Sequence, residues 1–114
     1  MPEQDFIALS TFADSEIARS IAHKLVEERL AACANIVPQI ESIYHWKGKI
    51  ESSTEILVIF KTTRERYPAF EQRLKALHPY EVPEIVALEL TAGLPAYLDW
   101  IGESVAGSNM SDAG

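Results

Sequence analysis

Two long extended segments flank Lys47-Gly48-Lys49, and few small folds can accommodate them. Residues 36–46 mix apolar and polar positions, and Gly48 takes a positive φ at little cost, so the segment can reverse there. Beyond the turn Ile50, Ser52, Thr54, Ile56, Val58 and Phe60 share one face. Leu57 and Ile59 make the other face apolar in its second half only, the pattern of a strand entering a covered sheet. Pro38 cannot donate to a ladder, which predicts an edge strand or a bulge at that point. Each arm is about a dozen residues, roughly twice an ordinary strand. In a chain of 114 residues such a ribbon overhangs the body, and another copy of the chain is the simplest cover for its outer half.

The remaining segments supply that body. Residues 5–11 read as a strand, and Asp14 or Ser15 can cap a helix whose first turn carries Glu16. Ile17, Ala18, Ile21, Ala22, Leu25, Val26 and Leu30 recur at helical spacing, predicting a helix that ends near residues 32–35. Thr62-Thr63-Arg64-Glu65 offers a capping box, followed by the stripe Tyr67, Phe70, Leu74, Leu77 and a stop at His78-Pro79. Residues 84–90 read as a strand and 93–105 as a short helix with Tyr97, Leu98 and Ile101 inward. The order predicts an α+β fold, the ferredoxin-like βαββαβ with a C-terminal helix, in one domain over residues 1–105. Residues 106–114 are small and polar, the composition of an unstructured tail. Right-handed crossovers put both main helices on one face of the sheet, leaving the other face to be hidden by association.

Composition narrows the function. A net charge of −7, with scattered basic residues, argues against nucleic acid as a partner. No apolar run is long enough for a membrane span, and the acidic start does not read as a secretory signal. The single Cys33 excludes an internal disulfide framework and suits a reducing cytoplasm. No phosphate loop, nucleophile elbow, HExxH or paired CxxC is present, so nothing in the chain points to an enzyme.

The reactive residues that remain are few. His78-Pro-Tyr-Glu-Val-Pro-Glu84 is a stiff loop carrying an imidazole, a phenol and two carboxylates. It reads equally as a ligand-holding loop, centred on His78, Tyr80 and Glu84, or as a connector whose His and Glu cap backbone groups. Tyr44 and Trp46 before the turn suit stacking on a ligand or, more often, a subunit contact. Lys61 reaches an anion or simply snorkels from a strand end. Cys33 is expected at the end of the first helix as a small buried hydrophobe, with soft-metal ligation the minority reading. His45 is expected in solvent, and His23 sits on a polar helix face.

The blocks Leu30-Ala-Ala-Cys-Ala-Asn-Ile-Val-Pro, Ser42-Ile-Tyr-His-Trp-Lys-Gly-Lys-Ile, Phe60-Lys-Thr-Thr and His78-Pro-Tyr-Glu-Val-Pro-Glu resemble, in order, the CutA family of divalent-cation tolerance proteins. The resemblance covers roughly residues 5–103. It implies a ferredoxin-like subunit in a homotrimer with crossing hairpins, no catalysis, and binding of copper (Cu2+) or another divalent metal ion in the response to metal ions. Its metal ligands would be His78 and Cys33; Ser10 and Leu77 stand where some members have a cysteine and a second histidine. The family trimer is also similar to PII signalling proteins, which implies a small anionic metabolite in a cleft between subunits. Tyr44, Trp46, Lys61, Tyr80 and Glu84 would line that cleft, with Tyr44 and Trp46 meeting the His78 loop of a neighbouring copy.

Overall fold

The computed structural model describes residues 4–113, with side chains described through Ala106. Strand β1 (Asp5–Phe12) leads into helix α1 (Ser15–Glu27), then β2 (Cys33–Trp46) and β3 (Lys49–Thr63), helix α2 (Tyr67–Leu77), β4 (Val86–Leu90) and helix α3 (Pro95–Ala113). The sheet is antiparallel with strand order β2-β3-β1-β4. This is the ferredoxin-like α+β arrangement, with the first and third strands central as expected.

Local chemistry sets the boundaries. Asp14 accepts hydrogen bonds from the Glu16 and Ile17 amides at 2.7 and 3.1 Å and so starts α1. The helix ends earlier than its apolar stripe suggests. Arg29 takes φ +60°, and the Leu30 amide returns to the Leu25 carbonyl at 3.0 Å. Leu30 stays against the core because the chain folds back there, so a helical stripe outlasts its helix. Cys33 therefore opens a strand instead of closing α1. At α2 the Thr63 hydroxyl accepts the Arg66 amide at 3.2 Å, one turn ahead of the helix, and Pro68 occupies the first turn. His78 leaves the helix at ψ 134°, as a residue before proline must.

Alternation of the central strands builds the core. Ala8, Phe12, Ile56, Val58 and Phe60 point to the face covered by Ala18, Leu25, Phe70 and Leu74 of the two main helices. Phe60 and Phe70 meet edge-to-face with centroids 4.9 Å apart. The opposite face is not wholly bare: Ile101 and Val105 of α3 pack with Ala32 and Leu90 over one end. Tyr97, expected inward, is 41% exposed, because Leu98, Ile101 and Val105 form the buried stripe and Tyr97 lies off it beside Trp100. The backbone of α3 runs through Ala113; the side chains of residues 107–113 lie outside the described ones. Away from α3, Val86 and Leu88 leave an apolar strip in solvent.

The hairpin turns as expected. Lys47 and Gly48 have φ of 51° and 81°, the two positive values of a type I′ turn. The register shifts between Val37 and Ile40, around Pro38 on the edge strand. β1 pairs with β3 only from Ile56 onward, so residues 49–55 are paired with β2 alone. The molecule is accordingly elongated, 49 × 30 × 22 Å. Its radius of gyration is 15.1 Å, where a compact chain of similar size has about 13 Å.

Candidate functional site

The overhanging hairpin, from Glu55 out to Trp46 beside the turn, and the loop after α2 border a cleft of about 680 Å³. Behind its wall the buried His78 ring lies flat on Phe12 with centroids 4.4 Å apart and planes at 11°. The Tyr80 amide donates to His78 Nδ1 at 3.1 Å, so the neutral ring carries its proton on Nε2, which donates to the Thr11 carbonyl at 2.8 Å. Burial lowers the His78 pKa below its ordinary 6.5, and the neutral tautomer is the one these bonds require. Tyr80, tilted against His78 at 4.7 Å, then donates its hydroxyl to Glu55 Oε2 at 2.6 Å. Burial, with the Glu55 carboxylate beside it, pushes the Tyr80 pKa far up, so the phenol remains a donor. Phe12, His78, Tyr80 and Glu55 thus clamp the loop to the sheet.

Tyr44, Trp46, Tyr80 and Glu84 all line this cleft. The hairpin aromatics and the loop therefore share a cleft within one chain. Tyr44 is steadied by Ser53, hydroxyl to hydroxyl at 3.3 Å. Lys47 Nζ stands 5.6 Å from the centre of the Trp46 ring. The acidic lining consists of Glu55, Glu81 and Glu84, and no Lys, Arg or His is part of it. Glu55 has no motif around it in the sequence; its only signal is a carboxylate where the strand pattern changes from polar to apolar.

The other candidates lie elsewhere. Lys61 pairs across the ladder with Cys33 and donates to Asn35 Oδ1 at 2.6 Å, at the end of the sheet away from the cleft. Cys33, expected to be buried, is half-buried, with its Sγ 3.9 Å from the Tyr97 hydroxyl. Cys33 and His78 are not brought together, and both His78 nitrogens are engaged by backbone. Among the described residues no three His, Cys, Asp or Glu side chains converge as metal ligands. A divalent ion thus finds carboxylates in the cleft of one chain but no closed coordination set.

An antiparallel sheet backed by two helices, with an acidic, aromatic cleft under a long hairpin, defines the class of protein. The model of the CutA1 divalent ion tolerance protein family matches residues 6–104, and the chain belongs to that family. The divalent-cation tolerance protein CutA of Thermus thermophilus is 52% identical over 98 residues, covering 86% of this chain and 95% of the relative. Protein CutA of Homo sapiens is 46% identical over 94 residues, or 82% of this chain, which spans about half (52%) of that longer relative. Among solved structures, the Thermus thermophilus divalent cation tolerance protein superposes with a TM-score of 0.85 at 51% identity, covering 88% of this chain and 97% of that one. The periplasmic divalent cation tolerance protein CutA of Archaeoglobus fulgidus gives 0.85 at 40% identity over 89% and 98% of the two chains. Among the described residues no helix is long and apolar enough to cross a membrane.

Proposed function

We propose that the chain acts without catalysis, as a homotrimer that binds a divalent cation in the response to metal ions. The observation that carries this reading is the cleft lined by Glu55, Glu81 and Glu84 with no cationic side chain, set under a hairpin that exposes Ile43 and Ile50. Carboxylates without a compensating base attract a divalent ion, and the apolar overhang favours assembly. Because one chain offers no converging set of three ligands among its described residues, the coordination sphere is completed by a second copy. Oxygen donors suit a hard ion, while copper prefers imidazole or thiolate. Copper at Cys33 or His78 requires those residues to meet groups of a neighbour, and for His78 to give up a backbone bond. The single cysteine accords with a reducing cytoplasm.

The alternative, a PII-like trimer holding a small anion, has less support: Lys61, the cation assigned to that role, is spent on Asn35 away from the cleft. Titration calorimetry of the native assembly with Cu2+, Mn2+ and inorganic phosphate separates the readings. Metal binding that weakens in Glu84→Gln supports the cation site. Metal binding lost only in Cys33→Ser moves the site to that end of the sheet, and phosphate binding without metal binding overturns the cation reading. Light scattering that finds a folded monomer overturns the trimer.

A further inference from the structure

A second cavity, of about 930 Å³, lies between α3, the start of β1 and the approach to α2. Its floor is Asp5, a charged residue only 6% exposed. Among the described residues no donor hydrogen-bonds or ion-pairs with its carboxylate, whose oxygens stay open to the cavity. Burial, reinforced by the carboxylate of Asp99, pushes the Asp5 pKa up from its ordinary 3.8. Asp5 and the solvent-exposed Asp99 face one cavity, and the repulsion between their carboxylates favours a cation there.

The rest of the lining identifies the cation. Glu65 and Glu103 add negative charge, against Arg66 alone, whose Nε is spent on the Val105 carbonyl at 3.0 Å. The walls are otherwise hydrocarbon, with Pro95 and Leu98 prominent. A bare divalent ion needs several converging oxygens, and no such group of three exists among the described residues. An ammonium group on an aliphatic stem fits both halves of the lining: its three donors match carboxylates, and its methylenes cover apolar walls. The volume lies within the usual range for small-molecule pockets, about 300–1,000 Å³.

We propose that the cavity under α3 binds an aliphatic ammonium ion, with its charged head between Asp5 and Asp99 and its methylene chain along Leu98 and Pro95. This site is separate from the hairpin cleft and does not depend on metal binding there. The test titrates the full-length chain with 1,4-diaminobutane, with magnesium chloride as a second arm at matched ionic strength. Saturable binding of the diamine is expected, weakened at least about tenfold, or about 1.4 kcal/mol, in Asp5→Asn and in Asp99→Asn. Glu84→Gln in the cleft should bind the diamine as the parent chain does. Asp99 is exposed, so its variant keeps the fold, and circular dichroism checks both. No saturable binding by the parent chain, undiminished affinity in both Asp variants, or magnesium binding that displaces the diamine would overturn the assignment.

Discussion

The inner and outer halves of one hairpin obey different physics. Along β3, Ile56, Val58 and Phe60 are buried beneath two helices, while Ile50 on the same strand is 65% exposed. Pairing with β2 runs through both halves, so backbone hydrogen bonds cannot account for the contrast. What differs is the presence of β1, which reaches only to Ile56, and of the helices that follow it. Apolar residues in the inner half stabilise the subunit, whereas those in the outer half stabilise it only if something else covers them.

Removing the Phe60 ring is expected to have the largest effect. Phe60→Ala should cost about 3–5 kcal/mol in urea unfolding, while Ile50→Ala in a dissociated subunit should stay within about 0.5 kcal/mol. Equal costs would show that the two halves are one cooperative core. His78→Gln comes next, at about 1–3 kcal/mol, because it disturbs the buried bonds to Thr11 and Tyr80. That residue also gives a pH signature. Its native pKa is depressed from 6.5, so below that value the unfolded chain takes up the proton first. Stability is therefore full above the unfolded pKa and falls as pH drops through it toward the lower native value. Thermal melts from neutral to mildly acidic pH should show this decline in the parent chain and lose that component in His78→Gln.

Smaller effects probe the outer half. A side chain placed on Gly48 would meet only open space, but the backbone there has φ +81°, so Gly48→Val should cost about 1–2 kcal/mol through backbone strain alone. Ile43→Ser with Ile50→Ser should leave the far-ultraviolet spectrum unchanged and lower the mass seen by light scattering; an unchanged mass would show that the overhang is not an assembly surface. The smallest effect is expected at the half-exposed Glu28–Arg73 pair. Arg73 holds the Glu28 carboxyl below its ordinary 4.5. Its contribution is present above that pH, fades as pH falls below it, and should be screened by salt.

Much of the fold was legible because short-range rules govern it. The turn at Lys47-Gly48-Lys49, the irregularity at Pro38 and the stop at His78-Pro79 each follow from the φ or the amide of a single residue, although the positive φ of Lys47 that makes the turn type I′ does not. The α1 terminus was not legible, since Leu30 keeps helical spacing while Arg29 reverses the chain, and only the packed core distinguishes the two. The site divides in the same way. Tyr44, Trp46, Tyr80 and Glu84 carry aromatic and acidic character in sequence, and they do share a cleft. Glu55, which holds Tyr80, and Asp5, which floors the second cavity, have no local pattern to mark them.

The amino-acid sequence by itself determined the element order, the length of the hairpin and its overhang, because these depend on periodicity and on residues with few backbone options. The tertiary structure alone decided that His78 spends both ring nitrogens on the backbone, that Lys61 and Cys33 lie away from the loop, and that α3 covers one end of the open face. Those facts depend on which residues distant in the chain come within hydrogen-bond reach, and register, not composition, sets that distance.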